Sequence, residues 1–171
     1  MKILIINPPD ENTVIEHPDD TGEGFLEADD FGDFPPLGAL YVLSYLEKYA
    51  PHHEFFFIDC IGEKITHNSL KDAVAEIQPD IVGITSFTIS MVDVCQAAMS
   101  VREVVESVHI CLGGHHPIAW PFEAAQLPEF DSIVVGEGEV AFFELVNALE
   151  QKLGFEEILG VYTKNSIEKL R

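Results

Sequence analysis

The sequence predicts an α/β fold: a doubly wound, mainly parallel five-stranded sheet with helices on both faces. Three observations carry this prediction. Five short apolar runs, at residues 2–6, 54–58, 80–84, 109–112 and 132–135, have the length of strands, and their nearly unbroken apolar character suits strands covered on both faces. Segments with apolar residues at helical spacing separate them, which is the alternation expected of parallel strands joined by crossover helices. Four of the runs then give way to turn chemistry, at Asn7-Pro8-Pro9, Thr85-Ser86, Gly113-Gly114 and Gly136.

In chain order, Ile3, Leu4, Ile5 and Ile6 form the first strand, which ends at Asn7-Pro8-Pro9 because proline offers no amide to a sheet. Residues 8–34 show neither helical nor strand period. Ten acids and no Lys or Arg fall between residues 10 and 33, the composition of a long, solvated acidic loop. Pro35-Pro36 opens a helix over residues 37–48, since a first turn tolerates the missing donor. Gly38 in that turn costs helix stability, which is intelligible if packing or a ligand brings other atoms close. After the second strand, Asn68 or Ser69 is expected to cap a helix through Ala73, Val74 and Ile77 that Pro79 halts.

The third strand leads into Thr85-Ser86-Phe87-Thr88, and Ser90 is expected to cap a longer helix through Met91, Val94, Ala98 and Val101. The fourth strand delivers Gly113-Gly114-His115-His116-Pro117, read as a turn with flexible backbone and two imidazoles. A short helix near residues 121–126 and the fifth strand follow. The turn Gly136-Glu137-Gly138-Glu139 then precedes a helix through Phe142, Leu145, Val146 and Leu149. Residues 160–163 read as a last strand-like piece, at the sheet edge or leaving the domain. The domain is expected to cover residues 1–163, with 164–171 a linker or the start of a following domain.

Right-handed crossovers put every strand-to-helix turn on one edge of such a sheet. Asn7, residues 85–88, 113–117 and 136–139 should therefore converge at the carboxyl ends of the strands, where doubly wound flavodoxin-like or Rossmann-like sheets bind ligands. Composition narrows the ligand. With thirty acids against nine basic residues and a formal net charge of -21, the surface repels phosphate backbones, so direct nucleic-acid binding is not expected. No apolar run reaches the eighteen or so residues that span a bilayer, and no signal sequence is evident, so a cytoplasmic protein without membrane contact is expected. Cys60, Cys95 and Cys111 are odd in number and dispersed, which suits reduced thiols.

Several chemistries lack their motifs. The first strand is not followed by G-x-G-x-x-G, no acidic pair follows it as a phosphoacceptor site requires, and no Gly-x-Ser-x-Gly elbow exists. No residue is assigned a catalytic role. Glu16-His17-Pro18-Asp19-Asp20 has the composition of a metal cluster without its register, and no metal ligand is assigned.

These residues together resemble the cobalamin-binding domain that precedes the radical domain of cobalamin-dependent radical S-adenosylmethionine enzymes. The resemblance runs from residue 1 to about 163. It rests on residues 2–9, Pro36-Leu37-Gly38 with Tyr45-Leu46-Glu47, residues 79–86, Leu112-Gly113-Gly114-His115-His116-Pro117 and Gly136-Glu137-Gly138-Glu139. It implies that the corrin lies over the carboxyl edge of the sheet while its nucleotide tail descends beside the strands. Cofactor contacts are then implied for Asn7, Pro8, Pro9, Gly38, Thr85, Ser86, Phe87, Thr88, Gly113, Gly114, His115, His116, Pro117, Gly136, Glu137, Gly138 and Glu139. The hydroxyls of Thr85, Ser86 and Thr88 and the amides at 85–86 and 113–114 are the expected polar contacts, with local helix capping the competing role for the hydroxyls.

Two departures matter. Methionine-synthase-like relatives supply a lower histidine ligand from D-x-H-x-x-G after the first strand. That motif is absent, so cobalamin is expected without it. Ile118 stands where the family often carries a hydroxyl. The C-x-x-x-C-x-x-C loop of the radical domain is also absent, so the [4Fe-4S] cluster and S-adenosylmethionine are expected only in a longer protein, with a radical domain in cis. There the resemblance implies methyl transfer or related radical chemistry. Two other readings stay open: a regulatory or interaction domain of the same fold that does not bind cobalamin, and a metal module using His17, His52, His53, His115 or His116 with acids from the long loop.

Overall fold

The computed structural model describes residues 1–13 and 35–170. Most of the expected acidic loop, including the cluster around His17, lies outside the described residues.

Six strands form one sheet in the order β2-β1-β3-β4-β5-β6. They are β1 (Lys2–Asn7), β2 (Glu54–Asp59), β3 (Ile81–Ile84), β4 (His109–Leu112), β5 (Ser132–Val134) and β6 (Val161–Tyr162). The first five run parallel, with Ile3 opposite Phe55 on one side and Ile81 on the other. The sixth extends the expected five-stranded sheet by pairing antiparallel to β5. Helices α1 (Leu37–Tyr49), α2 (His67–Ile77), α3 (Met91–Val104), α4 (His115–Ala119), α5 (Pro121–Ala124) and α6 (Gly138–Glu150) fill the connections.

Strand alternation divides the core between two faces. Ile3, Ile5, Ile81 and Cys111 pack with Ala39 and Leu46 of α1 and with Phe142, Leu145 and Val146 of α6. Leu4, Ile6, Val82, Ile84, Ile110 and Leu112 pack on the opposite face with Leu70 and Val74 of α2 and Val94, Ala98 and Val101 of α3. Both faces are therefore covered, which is why β1 and β3 are apolar at nearly every position. The chain winds outward in both directions from β1 and β3, so their carboxyl ends flank the switch point of the fold.

Several local expectations change. The cap of α2 is Thr66, whose side chain accepts from the Ser69 amide, rather than Asn68 or Ser69. Ser90 sits at the N-terminal boundary of α3 without capping it; its hydroxyl instead accepts from the Phe87 amide and donates to the Phe87 carbonyl, across a 3-10 turn over Thr88–Ser90. His115-His116-Pro117 is not a turn but the start of α4, where Pro117 sits in the first turn and its missing donor is harmless. Residues 167–170, which polar composition assigns to a linker or a following domain, form a 3-10 turn whose Ile167 is buried in the core. No helix among the described residues is long and apolar enough to cross a membrane.

Candidate functional site

The strand-end turns converge. A cleft of about 800 Å³ opens at the carboxyl edge of the sheet, walled by the segment after β1, the first turns of α1 and α6, and the segments after β3 and β4. Fourteen of the expected contact residues line it: Asn7, Pro8, Pro9, Gly38, Thr85, Ser86, Phe87, Gly113, Gly114, His115, Gly136, Glu137, Gly138 and Glu139. Thr88, His116 and Pro117 do not. His116 is 2% exposed, and its Nδ1 lies 3.2 Å from Thr88 Oγ1. The start of α4 turns His116 and Pro117 inward, where they are buried, while neighbouring His115 stays at the surface.

The polar groups divide between structure and opening. Ser86 Oγ donates to the Gly113 carbonyl at 2.7 Å, and the Ser86 carbonyl accepts from the His115 amide at 2.7 Å. The Thr85 amide donates to Ile6 and the Gly113 amide to Ile84, continuing the ladder past the strand ends. Three expected ligand contacts, the Ser86 hydroxyl and the Thr85 and Gly113 amides, are thus spent on stitching the turns after β1, β3 and β4 together. Among the described residues, the Ser86 and Gly114 amides and the Thr85 hydroxyl make no hydrogen bond. Asn7 is held by its side-chain amide, which donates to Asp59 Oδ1 at 2.7 Å.

The glycines also divide. Gly114 has φ +90°, and a Cβ there would stand 2.5 Å from the Ser86 amide nitrogen, so its identity serves the approach of two backbones. Gly136 (φ +103°) and Gly38 are different: a Cβ on either would meet nothing within 4 Å, and both line the cleft.

Sequence reading included Phe87 and His115 but missed the rest of the apolar rim. Leu37 (64% exposed), Ile89 (61%) and Ile118 (52%) line the opening, with Phe87 stacked on His115 at 4.5 Å between ring centroids and 11° between planes. Large apolar side chains this exposed around a concavity mark a surface that binds something. Their signal was positional, since Leu37 follows Pro35-Pro36 and Ile89 follows the end of β3, but helix and turn readings absorbed both.

Beside the cleft, Asp93 of α3 anchors Asn12 and Thr13, in the segment after β1. Its buried carboxylate accepts from the Asn12 amide and side chain, from Thr13 Oγ1 at 2.9 Å, and pairs with His67 Nε2 at 3.0 Å. Burial alone would raise its pKa, but these hydrogen bonds more than offset that and hold the carboxyl below its ordinary value. The thiols are inert by the same physics. Burial pushes Cys60 and Cys111 up to about 12 and Cys95 up to about 11, so none offers a thiolate near neutrality.

The competing readings separate on this geometry. A domain of this fold without a cofactor would fill its crevice with its own side chains, whereas the described residues leave the cleft open. A single metal site cannot combine the two histidine pairs: His53 precedes β2 and His115 follows β4, which puts them at opposite ends of a parallel sheet.

Comparison with known proteins gives concordant results. The sequence profile of the family described as B12 binding domain matches residues 27–146. An uncharacterized methyltransferase, PH0819, of Pyrococcus horikoshii is 32% identical over 167 residues, 97% of this chain and 33% of that protein. The chain thus spans about a third of that relative. Among solved structures, the radical S-adenosylmethionine methyltransferase TsrM of Kitasatospora setae, with cobalamin and a [4Fe-4S] cluster bound, superposes with a TM-score of 0.70 at 18% identity, over 94% of this chain and 26% of that one. The cobalamin-dependent S-adenosylmethionine radical enzyme OxsB, with aqua-cobalamin and S-adenosylmethionine bound, superposes with a TM-score of 0.68 at 20% identity, over 95% of this chain and 20% of that one.

Proposed function

Since the chain belongs to the B12 binding domain family, we propose that it is the cobalamin-holding module of a cobalamin-dependent radical S-adenosylmethionine enzyme, with the cofactor seated in the cleft at the carboxyl edge of the sheet. One observation carries the placement: four strand-end turns border a single open cleft into which Gly38 and Gly136 project no side chain.

The lining suits a large, flat macrocycle fringed with amides. The Phe87–His115 stack, Leu37, Ile89 and Ile118 present apolar surface to the ring. The Ser86 and Gly114 amides and the Thr85 hydroxyl donate to amide carbonyls or to the phosphate of the nucleotide tail. The carboxylates of Glu137 and Glu139 accept from amide N–H groups. Bound there, cobalamin supplies a cobalt centre able to carry a methyl group. The reading has cobalamin held without the D-x-H-x-x-G motif, and with the [4Fe-4S] cluster and S-adenosylmethionine belonging to a radical domain in cis, consistent with relatives about three times as long as this chain.

The test is equilibrium dialysis and gel filtration of the purified chain with hydroxocobalamin under anaerobic, reducing conditions. Retention of about one corrin per chain is expected for a single site. Failure to retain corrin absorbance above a buffer control overturns the reading.

A further inference from the structure

At the other end of the sheet, where the strands begin, a second cluster takes no part in the cleft. His52 and His53 lie in the turn between α1 and β2, and Glu150 ends α6. His52 Nε2 is 3.3 Å from Glu150 Oε2, and His53 Nδ1 is 3.7 Å from Glu150 Oε1. One ligand atom from each residue falls within 4.8 Å of the others. Around a tetrahedral ion with bonds of about 2.0–2.1 Å, neighbouring ligand atoms stand roughly 3.3–3.4 Å apart. We propose that His52, His53 and Glu150 form a binding site for a divalent transition-metal ion of the zinc class.

Two further features point the same way. The His53 side chain is fully buried and its Nε2 makes no hydrogen bond, so the polar contacts of this ring are made at Nδ1, the atom turned toward Glu150. Nδ1 also lies 3.1 Å from the Met1 amino nitrogen, so the cluster already draws a cation that a metal ion would displace. Glu150, for its part, stands at the C-terminus of α6, where the helix dipole disfavours an anion, and the last turn of that helix has no basic residue. The groups that favour the Glu150 carboxylate lie outside the helix, His52 first among them. Two imidazoles and a carboxylate match zinc in donor type and number, and leave a fourth position to water. Such an ion would staple the turn ahead of β2 to the end of α6, tying the start of the sheet to a helix that also borders the cofactor cleft.

The test uses untagged, metal-stripped protein dialysed against zinc chloride, with zinc content and affinity measured by mass spectrometry and calorimetry. One zinc per chain and a raised thermal midpoint are expected. Both should be lost in His52→Ala and in Glu150→Gln, at positions exposed enough for the fold to persist, as circular dichroism will report. Removing a direct ligand should weaken binding at least as much as the roughly 10–100-fold typical of losing a group that merely supports one. Absence of retained zinc, or zinc affinity in both variants equal to that of the unsubstituted protein, overturns the site. Cobalamin retention is read on the same samples and should be unchanged, so failure here is distinguishable from failure of the cofactor reading.

Discussion

At Gly114 a φ of +90° and the 2.5 Å that a Cβ would leave to the Ser86 amide nitrogen act together. Gly114→Ala must either strain this backbone or push apart the turns after β3 and β4. A cost of about 3 kcal/mol or more is expected, from left-handed strain and overpacking combined, measurable by urea denaturation. Gly38 gives the opposite result. It lies in helical backbone with open space ahead of its Cβ, so Gly38→Phe should leave the denaturation midpoint nearly unchanged while filling the cleft and abolishing corrin retention. Both glycines are visible in the sequence as breaks in pattern. Which one faces the open cleft and which one faces backbone is not, because that depends on what the fold brings opposite each Cα. The same holds for His115 and His116, adjacent in sequence yet one exposed beside Phe87 and the other buried against Thr88.

Among the elements, α3 does more than pack. Through Asp93 it gathers Asn12, Thr13 and His67, joining the segment after β1 to α2. Asp93→Asn replaces a buried acceptor by a group that also donates, facing donors already in place. A loss of about 2–3 kcal/mol is expected, with faster hydrogen exchange at the Asn12 amide as the specific signature. The Asp93 carboxyl is held below its ordinary value, so this anchoring is complete above the unfolded-state value and is lost as pH falls through the folded one. None of this was legible beforehand, since Asn12 and Asp93 are 81 residues apart. The cap of α2 was nearly legible: Thr66, Asn68 and Ser69 all qualify by chemistry, and only the extended backbone at Thr66 selects it.

For the whole molecule, stability should rise with pH through the imidazole range. His109, which begins β4 and meets Ser132 of β5, is kept below the ordinary histidine value chiefly by burial, opposed by Asp131 and assisted by Arg102. Below the ordinary value the unfolded chain binds a proton that the folded chain does not, so the thermal midpoint should fall as pH is lowered from about 8 to about 6. Relief of repulsion among the thirty acids begins only in the carboxylate range, and so does not mask this trend. His109→Gln should flatten the dependence. The sequence by itself determined the α/β class, the five parallel strands and the convergence of their ends, because apolar period and turn-forming residues are local and chain connectivity has a preferred hand, while the family came from the resemblance of its motifs. Only the tertiary structure decided which hydroxyls and amides remain available at the cleft, that an apolar rim surrounds it, and that Glu150 meets His52 from 98 residues away. Those outcomes depend on the direction of side chains across packed elements, which a linear pattern does not encode.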